Sequence, residues 1–100
     1  MDRFGSYIRK LRNEKKWTLA KLASMLEMDS TNLSKIENGR RFLDEEKLIK
    51  ICDIFSLDIN EIRKEIMSEK IAKKVYDADY GVEVLKLAES KVEYLKRETK

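Results

Sequence analysis

The sequence contains no histidine and no proline, one cysteine and only three glycines. Without histidine there is no imidazole to act as general base or to ligate a metal, and a lone Cys52 supplies neither an internal disulfide nor a thiolate cluster. No glycine-rich loop is present to cradle a phosphate. The parts of a nucleophilic site, a metal centre and a phosphate-binding loop are all missing, so the expectation is a protein that is not an enzyme and needs no cofactor and no metal. The same scarcity of glycine and proline removes most of the turn chemistry on which hairpins and sheets depend, and an all-α fold is expected. No window approaches the ~20 consecutive apolar residues of a bilayer-spanning helix. No basic-then-apolar leader opens the chain, so the expectation is a cytoplasmic location with no membrane.

What is present is a chain of 100 residues, 42% hydrophobic and 41% charged, with enough apolar material for a modest core. The net charge of +3 is too small to argue for a polyanion partner by itself, but it is unevenly spread. Residues 1–41 hold ten Lys or Arg against five Asp or Glu; residues 42–58 hold two against five, and the remainder ten against nine. The positive charge therefore sits in the front of the chain, a weak pointer to nucleic acid that is equally compatible with a solvated face.

Helical periodicity runs along the whole chain. Phe4, Tyr7, Ile8 and Leu11 form one stripe, followed by Thr18 as a cap before Leu19, Ala20, Leu22, Ala23 and Leu26. Asp29 caps a third segment, Ser30 to Asn38, in which Leu33 and Ile36 point one way and Thr31, Asn32 and Lys35 another. Gly39 stands where a helix ends most cheaply in a left-handed conformation. Asp44 opens a fourth helix carrying Leu48, Ile51, Cys52 and Phe55, with Glu45 and Glu46 on the positive end of its dipole. Asp58 and Glu61 have the spacing of a reciprocal capping box for a fifth, with Ile59, Ile62 and Ile66. Asp77 to Gly81 is a break, beyond which Val82, Leu85, Ala88, Val92 and Leu95 recur at spacings of three and four.

Two short helices joined by a tight polar turn, the second ending in Asn-Gly, form a helix-turn-helix arrangement, in which the second helix enters the major groove. Ile8-Arg-Lys-Leu-Arg12, Trp17-Thr-Leu-Ala-Lys-Leu-Ala23 and Leu33-Ser-Lys-Ile-Glu-Asn-Gly39 resemble the lambda-repressor-like, XRE-type family of transcriptional regulators, over residues 4–67. The resemblance implies a five-helix lambda-repressor-like DNA-binding domain in residues 1–68, with a C-terminal helical extension in residues 69–100. Ser68 to Ala72, Leu85 to Glu89 and Tyr94 to Lys96 further resemble an extension carried by regulators encoded beside DNA cytosine methyltransferases. Three positions depart from the family's pattern: Leu19 stands where Gln is common, Glu27 where the turn usually has Gly, and Leu43 where Pro is common.

By this resemblance Ser30, Thr31, Asn32 and Lys35 are the base readers; Lys35 is suited to guanine O6 and N7, and Asn32 to bidentate pairing with adenine. Arg12, Lys15, Lys16, Trp17, Thr18, Lys21, Asn38, Arg40 and Arg41, with the backbone N–H groups opening helix two, are candidates for the phosphate backbone. Arg12 has a competing role, since the family commonly pairs this arginine with the glutamate matching Glu37. Ile8, Leu11, Leu22, Ala23, Leu33, Ile36, Leu48, Ile51, Cys52 and Phe55 are expected in the core. The expected partners are double-stranded DNA, as a regulator at a near-palindromic operator, and a second copy of the chain. Val82, Leu85, Ala88, Val92 and Leu95 are the dimerisation residues, packing with Ile66, Ile71 and Val75 across a two-fold axis. Packing of these helices on their own core stays open as an alternative, as does an antitoxin-like or adaptor protein that grips a protein partner with them.

Overall fold

The computed structural model describes residues 3–99, which form α1 (Phe4–Glu14), α2 (Leu19–Met25), α3 (Ser30–Glu37), α4 (Glu45–Phe55), α5 (Ile59–Asp77) and α6 (Gly81–Glu98). Among the described residues there is no strand, and the fold is all-α. The expected caps set the starts of the helices. Thr18 Oγ1 accepts from Lys21 N at 3.0 Å, Asp29 Oδ1 from Asn32 N at 2.8 Å and Asp44 Oδ1 from Lys47 N at 2.9 Å. Each satisfies one of the N–H groups that a helix start leaves without a partner inside the helix. The box at α5 forms only in its forward direction: Asp58 Oδ1 accepts from Asn60 N and Glu61 N, while Glu61 turns its carboxylate to Lys64 Nζ at 3.0 Å.

Two glycines and one glutamate shape the connections. Gly39, at φ +76°, adopts the left-handed conformation that ends α3. Gly5 permits close approach, for a Cβ there would run into the carbonyl oxygens of Ile36 and Glu37, so α1 can cross α3 only at a residue without a side chain. Glu27, where the family it resembles usually has glycine, does take the left-handed backbone, with φ +55°. α4 holds it there: Lys47 Nζ donates to the Glu27 carbonyl at 3.2 Å and Lys50 Nζ pairs with its carboxylate at 2.7 Å.

Two compact units divide the chain, Met1–Glu69 and Lys70–Lys100, with α5 contributing residues to both. In the first, Phe4, Ile8, Leu22, Ala23, Leu26, Leu33, Ile36, Leu43, Leu48, Ile51, Cys52, Ile62 and Ile66 form one buried cluster. Leu11 is only half-buried, because the α1 surface that α3 covers is centred on Phe4 and Ile8. Phe55 packs on the rim of the cluster from a partly exposed position. Leu43, in place of proline, drops its side chain into the core at 8% exposure. Ile66 is 7% exposed within this cluster, so it is committed to its own domain's interior and is not free to pack against a second copy.

In the second unit, no residue from 70 to 99 is buried. Ile71 of α5 and Leu85, Ala88 and Val92 of α6 line an open, mainly apolar groove, so part of the expected stripe faces its own chain. No helix among the described residues is long and apolar enough to cross a membrane.

Candidate nucleic-acid interface

One side of α3 is anchored and the other is bare. Leu33 and Ile36 are 0% and 3% exposed, and Glu37, at 3%, is the one buried charged residue among those described. A carboxylate taken out of water is tolerated only when its charge and lone pairs are met, and Glu37 is met from α1. Arg12 Nε reaches Glu37 Oε2 at 2.8 Å and Arg12 Nη2 reaches Oε1 at 3.0 Å, a bidentate pair, while Arg9 Nε adds a longer bond to Oε1 at 3.3 Å. Hydrogen bonding to Glu37 pushes the Arg12 guanidinium pKa up. Arg12 Nη1 donates to the Trp17 carbonyl at 2.9 Å. Arg12, expected at the DNA backbone as well as in the brace, is thus committed to the brace: all three nitrogens donate inside the protein.

Sequence reasoning missed Arg9 and Arg3. Arg9 Nη2 donates to Asn38 Oδ1, and Arg3 Nη2 donates to the Asn38 carbonyl at 3.2 Å. A signal did exist for Arg9, since Arg9 and Arg12 stand three apart on one face of α1 and share the acid that braces α3. Asn38 also reaches Ser34 Oγ at 3.4 Å, so its amide, expected on a phosphate, is already engaged. Trp17, expected at the backbone too, lays its half-buried ring against Phe55 with centroids 5.7 Å apart and belongs to the packing of the domain.

The opposite face of α3 is polar and unclaimed. Ser30, Thr31 and Lys35 are exposed, and among the described residues their side chains make no hydrogen bond or ion pair. With Ser34 and Asn38 they line an open recess. Leu19 of α2 and Arg40 of the following loop complete it. Lys16, Lys21 and Arg41 are exposed, and Thr18, also exposed, uses its hydroxyl oxygen as the α2 cap. Asn32 departs from the expectation: Arg41 Nη1 donates to its Oδ1 at 2.9 Å and its Nδ2 donates to Asp29 Oδ2 at 3.2 Å. Both ends of the amide are occupied, so it does not offer adenine the donor and acceptor that bidentate pairing uses.

Among the described residues no group of acids or Cys is placed to hold a metal ion, and burial pushes the Cys52 thiol up, away from the reactive thiolate.

A family model described as a helix-turn-helix domain matches residues 5–66, from α1 into the first part of α5. The chain belongs to that helix-turn-helix family. Over 54 residues this helix-turn-helix protein is 41% identical to the HTH-type transcriptional regulator RamB of two strains of Mycobacterium tuberculosis. The match covers 54% of the chain but only 11% of that relative, so the chain spans about a ninth of the length of these curated relatives. A solved structure of the clp gene regulator ClgR from C. glutamicum is 26% identical, with a TM-score of 0.51, over 65% of this chain and 84% of that one. A second ClgR structure, 21% identical with a TM-score of 0.53, covers 95% of this chain and 87% of its own and speaks to the fold alone.

Proposed function

We propose that this helix-turn-helix protein is a sequence-specific double-stranded DNA-binding transcriptional regulator, a cytoplasmic repressor or autoregulator of the lambda-repressor-like, XRE-type kind. The observation that carries the reading is the bare row of Ser30, Thr31 and Lys35 on a helix whose other face is locked down by Leu33, Ile36 and Glu37. A rigid helix with unpaired donors on its outer face is what base-edge recognition requires. The names of the relatives, a transcriptional regulator and a gene regulator, agree with it.

In this reading Ser30, Thr31 and Lys35 contact bases, and Leu19, on the wall of the same recess, offers the apolar contact that distinguishes the thymine methyl. Lys16, Thr18, Lys21 and Arg40 meet phosphates and set register. Arg12 and Glu37 hold the angle of α3. Residues 1–68 act as the DNA-binding domain and 69–100 as the dimerisation element, through Val82, Leu85, Ala88, Val92 and Leu95, so that two copies read a near-palindromic operator. The likeness of the tail to extensions of regulators beside DNA cytosine methyltransferases supports a restriction-modification or methyltransferase locus as the target.

The exposed apolar row of α6 also favours a second reading, an antitoxin-like or adaptor protein that binds a protein partner with its extension. Duplex binding across a salt series separates the two. A regulator that neutralises several phosphates loses affinity by roughly 10³ to 10⁵ between 50 and 200 mM salt; an adaptor binds no duplex even at low salt. Lys35→Ala is expected to relax base preference and leave the fold intact, whereas equal weakening on all sequences would make Lys35 a phosphate ligand.

A further inference from the structure

We propose that Arg41 is a specificity-determining residue, mounted on Asn32 so that its guanidinium reads a guanine next to the base met by Lys35; the inference rests on α3 being a major-groove helix. Two successive arginines leave the end of α3 and go to different places. Arg40 joins Ser34 and Asn38 in the open recess, while Arg41 folds to the other flank and donates from Nη1 to Asn32 Oδ1 at 2.9 Å. On an α-helix Asn32 lies about 60° round from Lys35, so the Arg41 head group extends the exposed Lys35 face sideways.

The mount is itself fixed. Asn32 Nδ2 donates to Asp29 Oδ2 at 3.2 Å, and Asp29 Oδ1 caps Asn32 N at 2.8 Å, so a single acid holds both the backbone and the amide of Asn32 in place. An arginine serving only as a positive charge for phosphate has no need of an oriented tether. A planar guanidinium gains from one, because immobilising it beforehand lowers the entropy lost when it binds. The bond to Asn32 uses Nη1 and leaves the Nε–Nη2 edge, two parallel N–H groups that match O6 and N7 of guanine. Asn32 then acts through Arg41 and does not itself touch a base.

Selection of bound duplexes from a random pool, with the full chain and its Arg41→Lys and Asn32→Ala variants, tests this. The unmodified chain is expected to enrich a motif containing a guanine that both variants stop preferring, at the same position and by roughly five- to 150-fold, with the rest of the motif retained. If Arg41→Lys weakens every sequence alike with the motif unchanged, Arg41 is a phosphate ligand and the proposal is overturned. If Asn32→Ala instead loses an adenine at another position, Asn32 reads directly and the mount is wrong. A failure of the DNA-reading role of α3 looks different: the unmodified chain then enriches no motif at all.

Discussion

At the scale of single residues, the brace and the turn clamp are ion pairs of opposite kinds. Glu37 is buried between two arginines, and removing it leaves Arg12, whose side chain is 14% exposed, desolvated and without its counter-charge, at a cost of about 3–5 kcal/mol. Glu37→Ala is therefore expected to lower the thermal midpoint by about 10 °C or more, while Glu37→Gln, which keeps one acceptor, falls in between. Calorimetry on both variants checks the ordering; equal midpoints for Ala and Gln would show that hydrogen bonding to Glu37 is irrelevant. Glu27 is fully exposed, and its carboxyl pKa is lowered chiefly by the hydrogen bond from Lys50, then by the charges of Lys50 and Lys47. Because the folded pKa lies below the ordinary 4.5, the stabilisation is complete above that pH and fades as pH falls through the folded value. Wild type and Glu27→Gln should differ slightly in thermal midpoint at pH 7 and converge in acid. A difference that persists at pH 2 would mean that Lys50 does not stabilise the ionised form.

At the scale of elements, the position of α3 depends on how closely α1 crosses its end. Gly5→Ala would press a methyl group into the backbone carbonyls of Ile36 and Glu37, which cannot rotate away as a side chain can. Overpacking of this kind costs about 1–3 kcal/mol. The expected result is a lower midpoint together with weaker duplex binding, since Arg9 and Arg12 must move with α1; unchanged binding would uncouple the brace from the reading face. This crossing also marks what a sequence can tell. The caps Thr18, Asp29 and Asp44 were legible because each bonds within three residues of itself. Gly39 was legible because its role is a local backbone angle. Gly5 and Arg3 were not, for their partners lie more than 25 residues away and no spacing rule connects them, and Arg9 showed only in its three-residue spacing from Arg12. The proposed reading face was legible in part. Periodicity separated Lys35 and Thr31 from Leu33 and Ile36, but it could not reveal that Arg41 returns to occupy Asn32 or that Trp17 turns inward onto Phe55.

At the scale of the whole molecule, the two units differ in what they bury. All thirteen core residues lie between Phe4 and Ile66, whereas no residue from 70 to 99 is buried. Leu85, Val92, Leu95 and Val82 keep 41%, 48%, 56% and 67% of their surface exposed. A pair of helices with no interior gains little from the hydrophobic effect, and this exposed apolar row supports the proposed interaction surface. If that surface receives a second copy, removing residues 77–100 should convert a dimer into a monomer in solution while leaving the thermal midpoint of the first unit close to its original value, because no core side chain is lost. The same truncation should weaken binding to a palindromic duplex by roughly 10² to 10⁴ without changing the affinity for a single half-site, since only the effective concentration of the second reading helix is removed. A truncated chain that stays dimeric would place the interface in the first unit. A full chain that is monomeric yet binds the palindrome no better than a half-site would leave the apolar row of α6 to a different protein.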